Sequence, residues 1–240
     1  MRRLLATALG VALVATGGAV AFAQATWPSV TVTPKISPAT AGTPKHPQAV
    51  QLKTLFHWQS LGEASQPIVT SFTVLFPKGS LYGGGSITKC SLSAVSKGPQ
   101  ACPKASIVGV GSGTAYADTT ITHPQITVVN GGASTVYFYT VLNNPARVQE
   151  PVIGRIHRVG GKWSYSLAVT VPDNLRIVAG VPIELTSLSV TAGGRGHGAW
   201  LATTACSGGH WPFSVTTSYE NPNTGATGSS SYSAKTPCRK

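Results

Sequence analysis

The sequence predicts an all-β protein: an antiparallel β-sandwich, Ig-like or jelly-roll-like, of about eleven or twelve strands held by two disulfides. Three observations predict it. In one run Trp211, Phe213, Val215, Thr217 and Tyr219 share a face while Pro212, Ser214, Thr216, Ser218 and Glu220 share the other, the period-two pattern of a strand with one buried side. Turn signals recur roughly every ten to fifteen residues, and no stretch past the N-terminal apolar run carries a helical period. The chain has four cysteines, and they fall in two neighbouring pairs, Cys90 with Cys102 and Cys206 with Cys238.

The first residues set the compartment. Arg2 and Arg3 precede an uncharged apolar run from Leu4 to Val20, and two overlapping small-residue sites, Ala21 to Ala23 and Ala23 to Ala25, follow it. That order predicts a signal peptide over residues 1–25, of the general export type, cleaved after Ala23 or Ala25. The alternative, an uncleaved anchor, fits less well with a short run interrupted by glycine. No later apolar run is long enough to span a bilayer as a helix. An oxidising extracellular destination then predicts that the cysteines pair, with neighbour pairing the simplest of the connectivities. Each bridge would destabilise the unfolded chain by about 3–4 kcal/mol.

Residues 26–47 are rich in Pro and Thr and read as an extended entry segment, with a short strand at Val30 to Thr33. Residues 48–240 read as the β domain, with 143–145 as the place where two packed sub-domains would part. Within it, 68–76, 125–129, 134–142, 147–159 and 162–171 are β-like runs, the last with Trp163, Tyr165, Leu167, Val169 and Val171 on one face. Gly109, Gly111 and Gly113 interrupt a strand over 105–117 and leave bare backbone on one face, for a bulge or a close neighbour. The phase of the apolar residues slips near Thr186 and Ser187, which predicts a bulge there. Asn130-Gly131-Gly132 reads as a hairpin turn. Asn221-Pro222-Asn223-Thr224-Gly225 turns the chain between two final strands, whose open end a Cys206–Cys238 bridge would close.

Net charge is +12, from 18 Lys and Arg against 6 Asp and Glu. The bases are scattered along the chain with no long run. They suit either an anionic partner, such as a wall phosphate polymer or acidic lipid head groups, or a solvated surface that keeps the protein soluble. Export and the lack of a recognition motif argue against nucleic acid.

Several stretches resemble a family of exported proteins of high-GC Gram-positive bacteria (actinobacteria). They are Phe76-Pro77-Lys78-Gly79, Lys97-Gly98-Pro99-Gln100-Ala101-Cys102-Pro103 with the Gly109-x-Gly111 region, Val129-Asn130-Gly131, Val171-Pro172 and Val181-Pro182-Ile183. Trp200 to Cys206, His210-Trp211-Pro212-Phe213 and Pro237-Cys238 complete the match. The resemblance implies a β-rich exported fold with paired cysteines and assigns no activity, ligand or catalytic residue. Ser207 stands where similar sequences commonly carry proline.

The sequence carries few marks of catalytic chemistry. There is no nucleophile elbow, and the glycine-rich pieces do not join a strand to a helix, so they are turns rather than phosphate cradles. His46, His57, His123, His157, His197 and His210 are dispersed without metal-ligand spacing. Glu63, Asp118, Glu150, Asp173, Glu184 and Glu220 are the carboxylates from which a glycosidase pair would be drawn, and turns or strand ends explain most of them. No catalytic residue, metal ligand or cofactor is assigned. Tyr137 and Tyr139 share one face of a strand and form a stacking platform for a sugar or partner if that face lies outside; the other reading buries both faces. The expectation is an exported, non-catalytic protein that binds or structures something at the cell envelope, with an anionic wall polymer or another exported protein as partner. Two alternatives are an enzyme acting on cell-wall polysaccharide and a soluble extracellular protein-binding partner.

Overall fold

The computed structural model describes residues 27–59 and 67–240; the expected signal peptide and Glu63 lie outside the described residues. Sixteen strands follow in chain order. The first half contains β1 (Val30–Ser37), β2 (Gln48–Ala49), β3 (Gln51–Trp58), β4 (Ile68–Pro77), β5 (Ser80–Tyr82), β6 (Ile107–Ala117), β7 (Thr120–Thr122) and β8 (Gln125–Gly132). The second contains β9 (Thr135–Leu142), β10 (Val148–Arg158), β11 (Trp163–Thr170), β12 (Ile177–Val178), β13 (Val181–Gly193), β14 (Leu201–Thr203), β15 (His210–Glu220) and β16 (Thr227–Pro237). Two single-turn helices interrupt them, α1 (Leu92–Val95) and α2 (Asp173–Arg176).

The strands form one antiparallel sheet in the order β1-β3-β13-β6-β8-β9-β10-β11-β4-β15-β16, with β7 and β12 attached to its side. A second small sheet, β2-β14-β5, lies apart from it. The expected all-β fold and both disulfides, Cys90–Cys102 and Cys206–Cys238, are present. The expected sandwich is corrected: a single sheet curls round until its two edge strands, β1 and β16, face each other in a nearly closed barrel. Alternation along a strand states only that one side is buried. It cannot say whether the opposite wall is a second sheet or the far side of the same one.

Closure follows from parity. Strands that alternate in direction along an eleven-strand path bring the first and last together in parallel. A Thr40–Arg239 parallel bridge marks this seam, with Ala41 N–H donating to Arg239 O at 2.9 Å and Arg239 N–H to Ala39 O at 2.9 Å. At the other end Trp27 stacks on Tyr219, with centroids 6.3 Å apart, and lies against Gly228, where a Cβ would sit 2.1 Å from the indole.

Two domain expectations change as well. The short strand expected at Val30 to Thr33 runs on to Ser37 as a barrel strand whose Val30, Val32 and Ile36 point to the core, so the tether reading does not hold over 34–37. Pro34 fits there because β1 is an edge strand laddered only to β3, so no second partner asks for its missing N–H. Residues 143–145 belong to the loop joining β9 to β10, which pair along their length, so no boundary falls there.

The bulges appear near their expected places, between Leu185 and Ser187 against β6, and between Ile107 and Gly109 against β8. A Cβ on Gly109 would lie 2.3 Å from Thr191 O and 2.8 Å from Ala192 Cα, so β6 and β13 approach closer than any side chain allows. Residues 83–106, stapled by Cys90–Cys102, leave the barrel and pack Val95 and both cysteines over Val129, Tyr137 and Tyr139 on its outer wall. No helix among the described residues is long and apolar enough to cross a membrane.

The glycine stripe gives a direct test. Gly109→Ala should cost about 1–3 kcal/mol by forcing backbone apart, and lower the melting temperature by roughly 3–8 °C in a thermal melt. An unchanged melting temperature would show that the contact is slack.

Candidate functional site

Each barrel strand sends alternate side chains inward, and these are apolar. Val32 of β1, Phe56 of β3, Phe72 of β4, Phe138 of β9, Leu167 of β11 and Phe213 of β15 line a space of about 200 Å³. The outward positions are polar, as Thr31, Thr33 and Lys35 on β1 or Ser214, Thr216 and Ser218 on β15 illustrate. This apolar-in, polar-out alternation is the reverse of the one lipid imposes on a membrane-spanning barrel.

The space has a geometric cause. Eight strands make a barrel whose interior side chains just fill it, and wider barrels enclose cavities or, in eleven-stranded cans, a central helix. Among the described residues no segment threads this barrel. Aromatic rings take up much of the width: Phe56 packs on Phe72 at 5.7 Å and Phe76 on Phe213 at 5.9 Å. Gly109 and Gly111 lie opposite the inward Ala192 and Val190 and add nothing to the filling, so a void is left.

One end is plugged by the β2-β14-β5 sheet, with Tyr82 and Trp200 in an edge-on contact at 5.6 Å. Beneath it sits Asn130, 0% exposed. Its Oδ1 accepts from Trp200 Nε1 at 3.1 Å and from Gly132 N–H at 3.3 Å, and its Nδ2 donates to Gly84 O and Thr88 O at 2.9 Å each. The Tyr82 hydroxyl lies 2.8 Å from Gly132 O, 3.0 Å from Thr135 O and 3.2 Å from Asn130 Oδ1, and shares its single proton among them. Burial pushes the Tyr82 phenol up to about 12, a shift that its hydrogen bond with Trp200 partly offsets. By sequence Asn130 belongs to a hairpin turn. The chain in fact reverses at Ala133 and Ser134, after a register shift between Asn130 and Gly132, and Asn130 is the polar hub of the plug.

The other end carries α2, which follows β11 and drops Leu175 and Arg176 onto the cavity. Arg176 Nη1 donates to Glu220 at 2.8 Å and Nη2 to Asp173, and Asn174 Nδ2 donates to Glu150 at 2.9 Å. Burial opposes the Arg176 charge, but the hydrogen bonds and charges of Asp173 and Glu220 outweigh it and raise its pKa. Two buried side-chain polar atoms have no partner among the described residues, Arg176 Nε and Thr203 Oγ1; of these two residues only Arg176 lines the cavity.

The residues singled out from sequence fall elsewhere. Tyr137 and Tyr139, 7% and 5% exposed, lie beneath the Cys90–Cys102 excursion, while Phe138 between them faces the cavity. The strand is buried on both faces, and the tyrosines present no open platform. The carboxylates Asp173, Glu220 and Glu150 do come together around α2, but as acceptors from Arg176 and Asn174. The cavity escaped sequence reading because its lining is drawn from nearly every strand and has no motif. No family model, curated protein or solved structure matches the chain.

Two measurements check the plug. Asn130→Ala leaves Trp200 Nε1, the buried Gly84 carbonyl and the part-buried Thr88 carbonyl without this partner and should cost about 3 kcal/mol in denaturant unfolding. For Tyr82 the folded-state pKa lies above the unfolded value, so its contribution is whole below about pH 10 and fades as pH rises toward 12. A stability profile over that range should fall for the native protein and fall less steeply for Tyr82→Phe.

Proposed function

We propose that this is an exported, non-catalytic binding protein that carries a small apolar molecule inside its barrel. The carrying observation is the apolar space of about 200 Å³ in a barrel too wide for its own side chains to fill. Left empty, a void of that size costs about 5 kcal/mol at roughly 24 cal/mol per Å³. That is comparable with the whole stability of an ordinary domain, about 5–15 kcal/mol. A guest recovers it. Apolar cavities of about 150 Å³ admit a benzene-sized molecule and drug-sized pockets begin near 300 Å³, so the fitting guest is a single ring system or a short acyl chain. One hydrogen-bond acceptor on the guest, turned toward α2, would satisfy Arg176 Nε.

Two disulfides and the lack of a membrane-spanning helix among the described residues fit export. The resemblance to exported actinobacterial proteins is in keeping with that reading, under which the protein works at the cell envelope. The reading as a wall-polysaccharide enzyme draws less support: such chemistry needs a carboxyl group free to give a proton, and Asp173 and Glu220 are both spent on one guanidinium.

Titration with N-phenyl-1-naphthylamine, an apolar probe that brightens in a dry pocket, tests the reading. Saturable one-to-one binding is expected, weakened at least tenfold by Val128→Phe and by Val190→Phe, two wall positions opposite glycines of β6. Circular dichroism of each variant shows whether it is folded. Binding unchanged in both folded variants would place the probe outside the barrel and defeat the proposal.

A further inference from the structure

Positive and negative charge part to opposite ends of this barrel. Each long strand runs between the α2 end and the plug, and register fixes where every residue falls along it. All described acids lie toward α2. Asp118 sits in the turn between β6 and β7, Asp173 on α2 and Glu220 at the last residue of β15. Glu150 and Glu184 stand in the α2-side portions of β10 and β13, opposite Thr140 and Tyr116. Of the described bases only Arg147 and Arg176 share that end, and Arg176 is already paired.

The plug end is the converse. Lys45, Lys78, Lys162, Arg239 and Lys240 stand on its loops and terminus, all exposed. Lys35, Lys53, Arg155, Arg158 and Lys235 occupy the adjoining strand portions, also exposed. Lys89, Lys97 and Lys104 extend the cluster over the stapled excursion. No described acid lies among them. Lys35 and Lys53 even face each other directly in the β1–β3 ladder, a like-charge pairing that costs stability. A surface selected for folding alone has no use for that repulsion; an anionic partner removes it.

Exposed apolar side chains stand among the bases: Leu81 of the plug, 36% exposed, and Val159 of the β10–β11 turn, 38% exposed. The Lys162 ammonium lies 5.1 Å from the Trp163 ring centroid. Strands of this length, tilted as in barrels, set the two ends roughly 25 Å apart. The Debye length at physiological salt is about 8 Å, so the acidic end does not cancel the basic one.

We propose that the plug end docks on an anionic bilayer surface, with the barrel axis upright and the α2 end facing away. The bases come from loops and strand ends all round the barrel rather than from one stripe, which suits a plane better than a linear polymer. Leu81 and Val159 are placed to enter the head-group layer, as apolar residues do in interfacial anchors. The acidic end is repelled by the same surface, which fixes the orientation. This inference rests on the charge distribution and not on the cavity.

The test is co-sedimentation of the protein, as exported, with phosphatidylcholine vesicles that contain phosphatidylglycerol and with vesicles of phosphatidylcholine alone. Binding is expected only to the anionic vesicles, and should fall as salt rises. Replacing Lys45, Lys78 and Lys162 together by Gln should weaken it about 100-fold, while Arg147→Gln at the far end leaves it unchanged. Surface changes of this kind leave the fold intact. Equal binding to both vesicle types, or equal loss in the triple variant and in Arg147→Gln, would overturn the proposal. So would retention on delipidated cell walls with none on the anionic vesicles, which would assign the basic end to a wall polymer.

Discussion

Eleven strands that alternate in direction cannot close on an antiparallel pair, and the rest of the structure depends on how this chain meets that constraint. The seam between β1 and β16 is parallel and has no continuous ladder, so other contacts hold the edges together. Thr40 bridges Arg239 at the plug end, and Trp27 covers Gly228 at the α2 end. The Cys206–Cys238 bridge ties the start of β15 to the end of β16, with Cys238 N–H donating to Gly209 O at 2.9 Å. That staple keeps the serine-rich last strand on its neighbour, which has its other edge on β4. An edge strand missing from one side is also what lets Pro34 sit inside the wall.

The same strand number sets the interior. A sheet this wide leaves space that Phe56, Phe72, Phe138 and Phe213 narrow and do not fill. The two ends of that space differ in kind. At the plug, Asn130 has every polar group of its amide engaged, and such a network, complete and buried, gives a rigid closure. At the α2 end a four-residue helix and an arginine whose Nε has no partner among the described residues form the closure. The α2 end is therefore the weaker closure, with fewer buried contacts to break, and under the proposed function it is the end by which a guest would enter.

Much of the local structure was legible in the sequence and little of the global arrangement was. Trp211, Phe213, Val215 and Tyr219 form a core face as their alternation required, and the slip near Thr186 is a bulge. Neighbouring cysteines pair because the chain returns on itself between them. Barrel closure was hidden because period-two patterning is local, whereas closure is a relation between residues 30 and 237. Pro34 misled, because it cut the expected strand short at Thr33, whereas it lies within an edge strand that runs on to Ser37. Asn130 misled because a turn asparagine and a buried one are the same residue. The charge separation was invisible for a related reason. Bases dispersed along the chain look random until strand reversal every ten residues or so returns them to one end.

The central claim is the proposal that the barrel holds an apolar guest. Mass spectrometry of the protein purified as exported, sprayed first under non-denaturing conditions and then after unfolding, tests it most directly. The account predicts a mass excess in the folded protein that disappears on unfolding and is recovered as one apolar compound in an organic extract. The same mass in both states, with nothing apolar in the extract, would contradict it.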